Sequence, residues 1–592
     1  MRHVLATPGL DYFHTTYLFY PFGASIAAHS HTALPALIAA TVLKPASIVT
    51  AQNLLLIACV FANLTSMYAL VWDVTRHRRA AILGGVTFGI SPYLAAHLLG
   101  HFDLVAAWVL PAFALLLRRA ARSDSSRAGI GAGLVLAATA YTAYYYVVYI
   151  GFFAVVYLIA WLDWFHLSWS WRAQTPFTQS LQRALLVAAG ACAAAAMWIV
   201  LRGGRLIQLG PIAVSALAPQ NALTATWICM LGAAVCTRRA VVRVDRVADG
   251  RARRALAIAS QVVVIFIVGA APLLWQAARL VTQGAYVTPA YQWRSAPRGV
   301  DLLAPFVGPP FHPLLHWARR AYAFAHLDRI EAVGWLGVVP PLLLFAGRAV
   351  RRATDDERIW RVVAAAFAVW TLGPFLTVGG YDTGLKLPET LARFVPFVAN
   401  ARMPGRAMVG VFMAVAVLIA LRVGRDAGTL RQPAMQWLLI ALVALDFWDA
   451  PIPLTPLDAP AVYRELAAAV PGAVCEAPFG VGDGLSEGSG AQDRRILFYA
   501  TQHEHPLVGG YIARMPVDAA QRYLDMPLVG ALLRISDGHA APTAAVLAGS
   551  EQPCRYLIVD RASSSAALRS YVELLPADRL ATDERRDLYR LR

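Results

Sequence analysis

Apolar runs of membrane-crossing length follow one another from about residue 49 to residue 449. They predict about twelve spans, near 49–73, 80–98, 104–118, 129–145, 147–163, 184–201, 221–237, 255–275, 333–348, 361–379, 405–422 and 433–449. Each is close to the ~20 residues that cross a bilayer core. The run 129–163 is long enough for two helices, with no clear point of division. Residues 32–46 are apolar but short and hold Pro35 and Pro45, which predicts an interfacial or re-entrant helix. Before them, Asp11 to His31 (DYFHTTYLFYPFGASIAAHSH) is too polar and too broken by Tyr, His and Pro to cross. From about Leu457 the hydropathy drops. There PAVYRELAAAVPG reads as a helix, AVCEAPFG as a strand, RRILFYATQ as either, DAAQRYLDMPLVGALLRI as a helix, CRYLIVD as a strand and SSAALRSYVELL as a helix. Alternating helix and strand predict a small α/β domain. The expected fold class is mainly α: a polytopic transmembrane helix bundle followed by that domain. The expected divisions are 1–48, a first external loop with an interfacial helix; 49–449, the membrane part with a long external loop at 276–332; and 450–592.

Composition agrees. Of 592 residues, 58% are hydrophobic and 15% charged, against about 25% charged in soluble domains. Mean hydropathy is +0.53. The net charge of +17 comes almost wholly from arginine, since Lys44 and Lys386 are the only lysines. Nucleic acid is the other common use of such charge. The arginines instead sit in short loops between apolar runs, so no nucleic-acid partner is expected. Nor does a secretory signal open the chain, because MRHVLATPGLDYF has no apolar core.

Charge also sets sidedness. Loops 74–79, 118–128, 163–183, 238–254, 348–361 and 422–432 hold 24 arginines, whereas 99–103, 202–220 and 380–404 hold five basic residues. Positive-inside logic puts the first set in the cytoplasm. Residues 1–48, the loop 276–332 and everything after 450 then lie outside the cytoplasm. An external N-terminus has nothing before it to start insertion, so a first helix is expected to be missing, through a late start codon or a truncated gene model. Of six cysteines, Cys59, Cys192, Cys229 and Cys236 lie in apolar helices and suit packing. Cys475 and Cys554 lie in the polar part, where either a disulfide or two buried thiols would fit.

Candidate chemistry clusters on the external side. Asp11 is a carboxylate just outside the bilayer, able to take a proton from an acceptor hydroxyl; the plain alternative is a solvated loop residue. His14, His29 and His31 could bind a divalent metal or a lipid phosphate, and His29 and His31 have weakly ligand-like spacing; packing within the loop is the plain alternative. Tyr20 belongs to the same aromatic run. In GHFDL, His101 and Asp103 form the next external turn, and Asp103 would equally serve to cap a helix. The segment 276–332 carries Arg294, Arg298 and Asp301 among Pro and aromatic residues; Trp293, Phe306, Phe311 and Trp317 suit the membrane interface or a sugar face. Tyr141, Tyr144, Tyr145, Tyr146 and Tyr149 read as an interfacial aromatic belt. Arg402 and Arg406, in NARMPGRAM, could hold a lipid phosphate in a fork or simply snorkel.

Five stretches together resemble bacterial polytopic glycosyltransferases of the GT-C superfamily: TTYLFYPFGASIAAHS, FGISPYLAAHLLGHFDLVAAWVLPAFALLLRRA, RSAPRGVDLLAPFVGPPFHPLLH, EAVGWLGVVPPLLLF and ARMPGRAM. The C-terminal YRELAAAVPGAVCEAPFG and HPLVGGYIARMP are similar to the α/β domain that often follows such membrane parts. The resemblance implies a polyprenyl-phosphate sugar donor, transfer of a hexose or pentose outside the cytoplasm, and inversion at the anomeric carbon. It implies a glycan, lipid or protein acceptor and a catalytic acid in the first external loop after a first helix. That helix is absent here, so either Asp11 does the job or the base lies upstream. The expected mechanism has interfacial arginines holding the phosphate and Asp11 or Asp103 taking the acceptor proton. Sugar would sit among the aromatic and His residues of loops 11–31 and 276–332. Two other classes compete. One is a transporter or flippase for a lipid-linked sugar, which predicts internal repeats and midplane charges; no convincing repeat is present. The other is a non-catalytic membrane scaffold.

Overall fold

The computed structural model describes residues 1–27, 29, 32–123, 125–171, 175–209, 212–244, 249–285, 297–345, 354–395, 397–426, 428–455, 457–458, 460–484, 488–516, 518–540 and 553–592. His31 and Arg294 lie outside the described residues. The chain forms two compact units, Leu43–Ala270 with Ala290–Pro453, and Met1–Val42 with Ala271–Pro289 and Leu454–Arg592.

The first of these is the membrane unit. The expected apolar stretches are helical for much of their length but not throughout: the described helix of 333–348 is Val339–Phe345, and 361–379 leaves its helix at Thr371 and enters the strand Phe375–Val378. Six helical segments of the described chain are long and apolar enough to cross a bilayer on their own: Ile48–Thr75, Arg78–His97, Tyr144–Leu162, Pro176–Arg202, Gly250–Gly269 and Pro404–Arg425. The run 129–163 divides at Tyr141–Ala143, between Ser126–Ala140 and Tyr144–Leu162. The stretch expected as one span at 255–275 breaks after Gly269, and the helix Ala271–Thr282 belongs to the other unit.

The helix Met408–Arg425 is apolar all round and buried at nearly every position, as a central helix must be. It packs on Arg78–Gly89, Asp355–Thr371, Ile48–Thr75 and Val339–Phe345. Gly410 lets it lie close to Phe367, where a Cβ would fall 2.2 Å from the ring. By contrast Pro176–Arg202 and Gln220–Thr237 expose Leu186, Val187, Met197, Val200, Ile228 and Leu231, a surface suited to lipid. Three Arg-rich ends meet in a buried ion network. Arg118 pairs with Asp73 and, at 3.2 Å, with Asp356; Arg119 reaches Asp73 at 3.0 Å and Arg122 reaches Asp356 at 2.7 Å. These ends come from loops that the arginine count placed on one side.

Some of the loops are more ordered than their charge suggested. Phe165–Trp171 pairs antiparallel with Arg238–Val244, Arg205–Leu209 with Ile212–Ala216, and Phe375–Val378 with Tyr381–Lys386.

The other unit is α/β. Its four-stranded sheet runs Ala577–Thr582, Arg586–Leu591, Tyr556–Asp560, Val474–Ala477, with the last two strands parallel and the others antiparallel. A second sheet joins Gly480–Asp483 to Ser489–Gly490 and, in parallel, to Gly510–Ile512. The expected helix 518–535 breaks before Pro527 into Ala519–Leu524 and Pro527–Ser536. Cys475 and Cys554 form a disulfide, so they are not free thiols. The opening segment folds onto this unit. Phe19 N–H donates to Gly509 O, Tyr20 N–H to Leu507 O, and Leu507 N–H to Tyr17 O. Phe19 itself is fully buried.

Candidate active site

Within the membrane unit, Pro92 starts a fresh short helix, Pro92–His97, after Ile90 and Ser91 break the one before. Proline has no N–H to continue a helix but suits its first position. The new helix ends by presenting His97, and the turn through Gly100 brings up His101 ahead of Phe102–Val105. His97 is 1% exposed. Its Nδ1 lies 2.7 Å from the Tyr93 carbonyl oxygen. A carbonyl only accepts, so Nδ1 carries the proton and Nε2 presents a lone pair.

That lone pair faces Glu331. His97 Nε2 lies 3.7 Å from Glu331 Oε2, and His101 Nε2 lies 3.5 Å from Oε1. Asp328 fixes the approach of Glu331 by accepting from the Ile330 and Glu331 amides at 2.7 and 2.8 Å. The 3-10 turn Pro404–Ala407 closes from the far side. A Cβ on Gly405 would fall 1.9 Å from the Glu331 carbonyl oxygen, so only glycine lets the two loops meet. Arg406 then forks both carboxylate oxygens, its Nε at 3.1 Å from Oε1 and 2.9 Å from Oε2, and lies 4.3 Å over the Tyr145 ring.

Tyrosines at the start of Tyr144–Leu162 hold the surrounding loops. The Tyr146 hydroxyl donates to Leu104 O, and Tyr149 donates to Met403 O at 3.4 Å. Both rings are fully buried, so these two are packed within the protein and not part of an interfacial belt. The helix spans 19 residues, about 28 Å at 1.5 Å per residue. It runs from this cluster to Tyr157, beside the Arg118–Asp356 pair.

Electrostatics follow the geometry. Burial alone would raise the Glu331 carboxyl, but the Arg406 fork and its charge hold it far below the usual carboxylate range. Burial, and then the Arg406 charge, lower His101. The ligand atoms of His97, His101 and Glu331 all lie within 4.8 Å of one another, which makes them a candidate metal group among the described residues.

The candidates named from sequence divide between the two units. Asp103 is half-buried in the first turn of Phe102–Val105, where His101 is the N-cap residue and no side chain caps the helix. Its charge acts on His101. Arg402 is half-buried and lies beside the Tyr145 hydroxyl. Asp301 is 1% exposed, and its carboxylate accepts from the amides of Leu303, Gly379 and Gly380 at 2.9, 2.9 and 2.8 Å. It pins the Val378–Tyr381 turn, and Arg298 donates to Gly380 O of that turn at 3.0 Å. Asp11, His14, Tyr20 and His29 belong to the α/β unit. Asp11 is exposed and accepts from the Phe13 amide at 2.8 Å. His14 lies in a two-residue strand against Ala24–Ser25. The Tyr20 carbonyl accepts from the Tyr523 hydroxyl at 3.0 Å, and His29 Nδ1 accepts from the Ala513 amide at 3.0 Å.

Sequence reasoning singled out neither His97 nor Glu331. Both stood in quoted stretches, in LAAHLLGHFDL and at the head of EAVGWLGVVPP. His97 falls at the end of the expected span 80–98 and Glu331 two residues before the span 333–348, so only their closeness to span ends marks them.

No family model and no curated protein matches the chain. Among solved structures it is similar to the arabinofuranosyltransferase AftD from Mycobacteria, at TM-score 0.49 and 12% identity over 98% of this chain and 36% of that one. It is also similar to the oligosaccharyltransferase AglB from Archaeoglobus fulgidus, solved with an inhibitory peptide and a dolichol-phosphate, at TM-score 0.40 and 11% identity over 97% of this chain and 67% of that one. This chain thus spans little more than a third of the length of AftD. Both neighbours are membrane glycosyltransferases of the GT-C type, and it is to these that the chain is similar.

Proposed function

We propose that the chain is a multi-pass membrane glycosyltransferase that moves a sugar from a polyprenyl-phosphate donor to a cell-envelope acceptor outside the cytoplasm. One observation carries the reading. Asp103, His97, His101, Glu331, Arg402 and Arg406 come from three separate loops and converge at the ends of apolar helices. In this reading the acceptor oxygen attacks the anomeric carbon as the bond from that carbon to the phosphate oxygen breaks. Polyprenyl phosphate leaves, and the Asp103 carboxylate takes the acceptor proton. Arg402 holds the phosphate, since a guanidinium matches it in a fork. Asp103 is favoured over Asp11 because it shares a unit with the arginines, whereas Asp11 is exposed and bonded to its own turn. The disulfide Cys475–Cys554 supports an oxidising, extracytoplasmic setting for the α/β unit.

The test is transfer of label from polyprenyl-phosphate sugars in membranes carrying the full chain. Asp103→Asn is expected to lower transfer by a factor on the order of 10²–10⁴ with unchanged protein level, and Asp11→Asn to leave it intact. Full activity in Asp103→Asn would remove Asp103 as base.

A further inference from the structure

Two features of the His97–His101–Glu331 cluster are unexplained by an ion pair alone. His97 Nε2 is buried and has no hydrogen-bond partner, and His101 Nδ1 is also buried without one. With its proton on Nδ1, His97 turns a lone pair toward a carboxylate oxygen 3.7 Å away. Two acceptors facing each other across that gap call for something positive between them. Arg406 does not fill it, since its fork meets the Glu331 oxygens and its face covers Tyr145.

We propose that His97 Nε2, His101 Nε2 and a Glu331 carboxylate oxygen form a site for one divalent cation of the zinc class, with Arg406 as its built-in competitor for Glu331.

The spacing fits. Tetrahedral ligands 2.0–2.1 Å from a zinc ion stand about 3.3 Å apart. The two histidine–carboxylate separations, 3.7 and 3.5 Å, are already close to that. Two imidazoles and one carboxylate suit zinc, cobalt or a similar ion, whereas magnesium and calcium prefer all-oxygen shells. The Tyr93 carbonyl holds the His97 Nδ1–H, as the outer partner of a metal-bound histidine commonly does. Three protein ligands leave a fourth position open, the pattern of sites that also bind substrate. Arg406 places one positive charge against the same carboxylate, so it opposes the cation when the site is empty of substrate. A bound cation would weaken the Arg406–Glu331 pair and free the guanidinium for an anionic group. The proposal rests on reading this cluster as the reaction centre. Metal binding is nevertheless measured without a sugar donor, so either claim can fail alone.

The experiment uses the purified full chain in detergent, stripped of metal and titrated with Zn²⁺ and with Co²⁺ as a visible reporter. One equivalent is expected to bind, with excess Mg²⁺ unable to displace it. His97→Gln and His101→Gln should each weaken binding at least tenfold, and Arg406→Gln should tighten it at least tenfold. X-ray absorption of the zinc-loaded unmodified chain should show two imidazole nitrogens at about 2.0–2.1 Å, a reading that needs no variant to fold. Absence of stoichiometric binding, absence of imidazole scattering, or affinity unchanged in both histidine variants would overturn the site and leave a structural ion pair.

Discussion

Replacing Glu331 with glutamine puts the site's architecture to a quantitative test. The Glu331 and Arg406 side chains are only 10% and 11% exposed, and the fork meets both oxygens. Removing one partner of a buried pair leaves the other charge without compensation, at a cost of about 3–5 kcal/mol. The amide oxygen of the introduced glutamine can still accept one N–H from Arg406, which recovers about 1 kcal/mol, and the Tyr145 face keeps some attraction for the cation. Glu331→Gln should therefore destabilise by about 2–4 kcal/mol. Arg406→Met, of similar length, should cost about as much, because it strands the carboxylate. The double variant Glu331→Gln/Arg406→Met removes both charges and should cost little more than either alone, giving a coupling of about 2–3 kcal/mol. The assay is denaturant unfolding in detergent, followed by tryptophan fluorescence and by monodisperse elution. Additive single effects, with coupling below about 0.5 kcal/mol, would refute the buried pair as the clamp between the two loops.

Further predictions concern the α/β unit. Burial pushes the Glu476 carboxyl up to about 8, so the folded unit holds a proton that the unfolded chain releases near 4.5. That contribution falls by about 1.4 kcal/mol per pH unit as pH rises from 4.5 to 8. His503 is lowered to about 4 by burial and by His505, so its contribution rises with pH up to 6.5. The two slopes cancel between 4.5 and 6.5, and hydrogen exchange of Val474–Ala477 in the full chain should show loosening only above 6.5. Glu476→Gln should instead tighten up to 6.5 and stay flat above it; identical pH profiles for the two proteins would contradict the buried, protonated carboxyl. The disulfide closes a separation of 79 residues, for which chain entropy gives about 4.5 kcal/mol as an upper figure. Cys475→Ala/Cys554→Ala should lower the stability of this unit by about 2–4 kcal/mol in denaturant unfolding, and an unchanged midpoint in oxidised protein would place the bond outside its cooperative core.

What could be read from the sequence follows from how local each signal is. Apolar runs mark helices whatever their neighbours, so much of the helical content was legible, but the break before Pro92 that delivers His97 fell inside the single expected span 80–98. Glu331 was not legible, because its importance comes from Asp328, Gly405 and Arg406, the last two far along the chain. Asp11 drew attention as the first acid of the chain, yet its carboxylate serves the amide two residues on. The opening segment also adds backbone hydrogen bonds to residues 507–509, a pairing between opposite ends of the chain that no local pattern announces. Tyr146 and Tyr149 matched an interfacial belt in composition. Only the packing shows them buried, with hydroxyls spent on Leu104 and Met403. The closing hairpin, Ala577–Thr582 with Arg586–Leu591, alternates charge with apolar residues too irregularly to read as strand.

The most direct measurement is photocrosslinking of a polyprenyl-phosphate analogue, with its reactive group beside the phosphate, to the full chain in membranes, followed by mapping of the labelled peptides. The account predicts label within residues 97–106, 328–335 and 398–407, competed by unmodified polyprenyl phosphate. Competable label confined to residues 1–42 or 454–592 would contradict it.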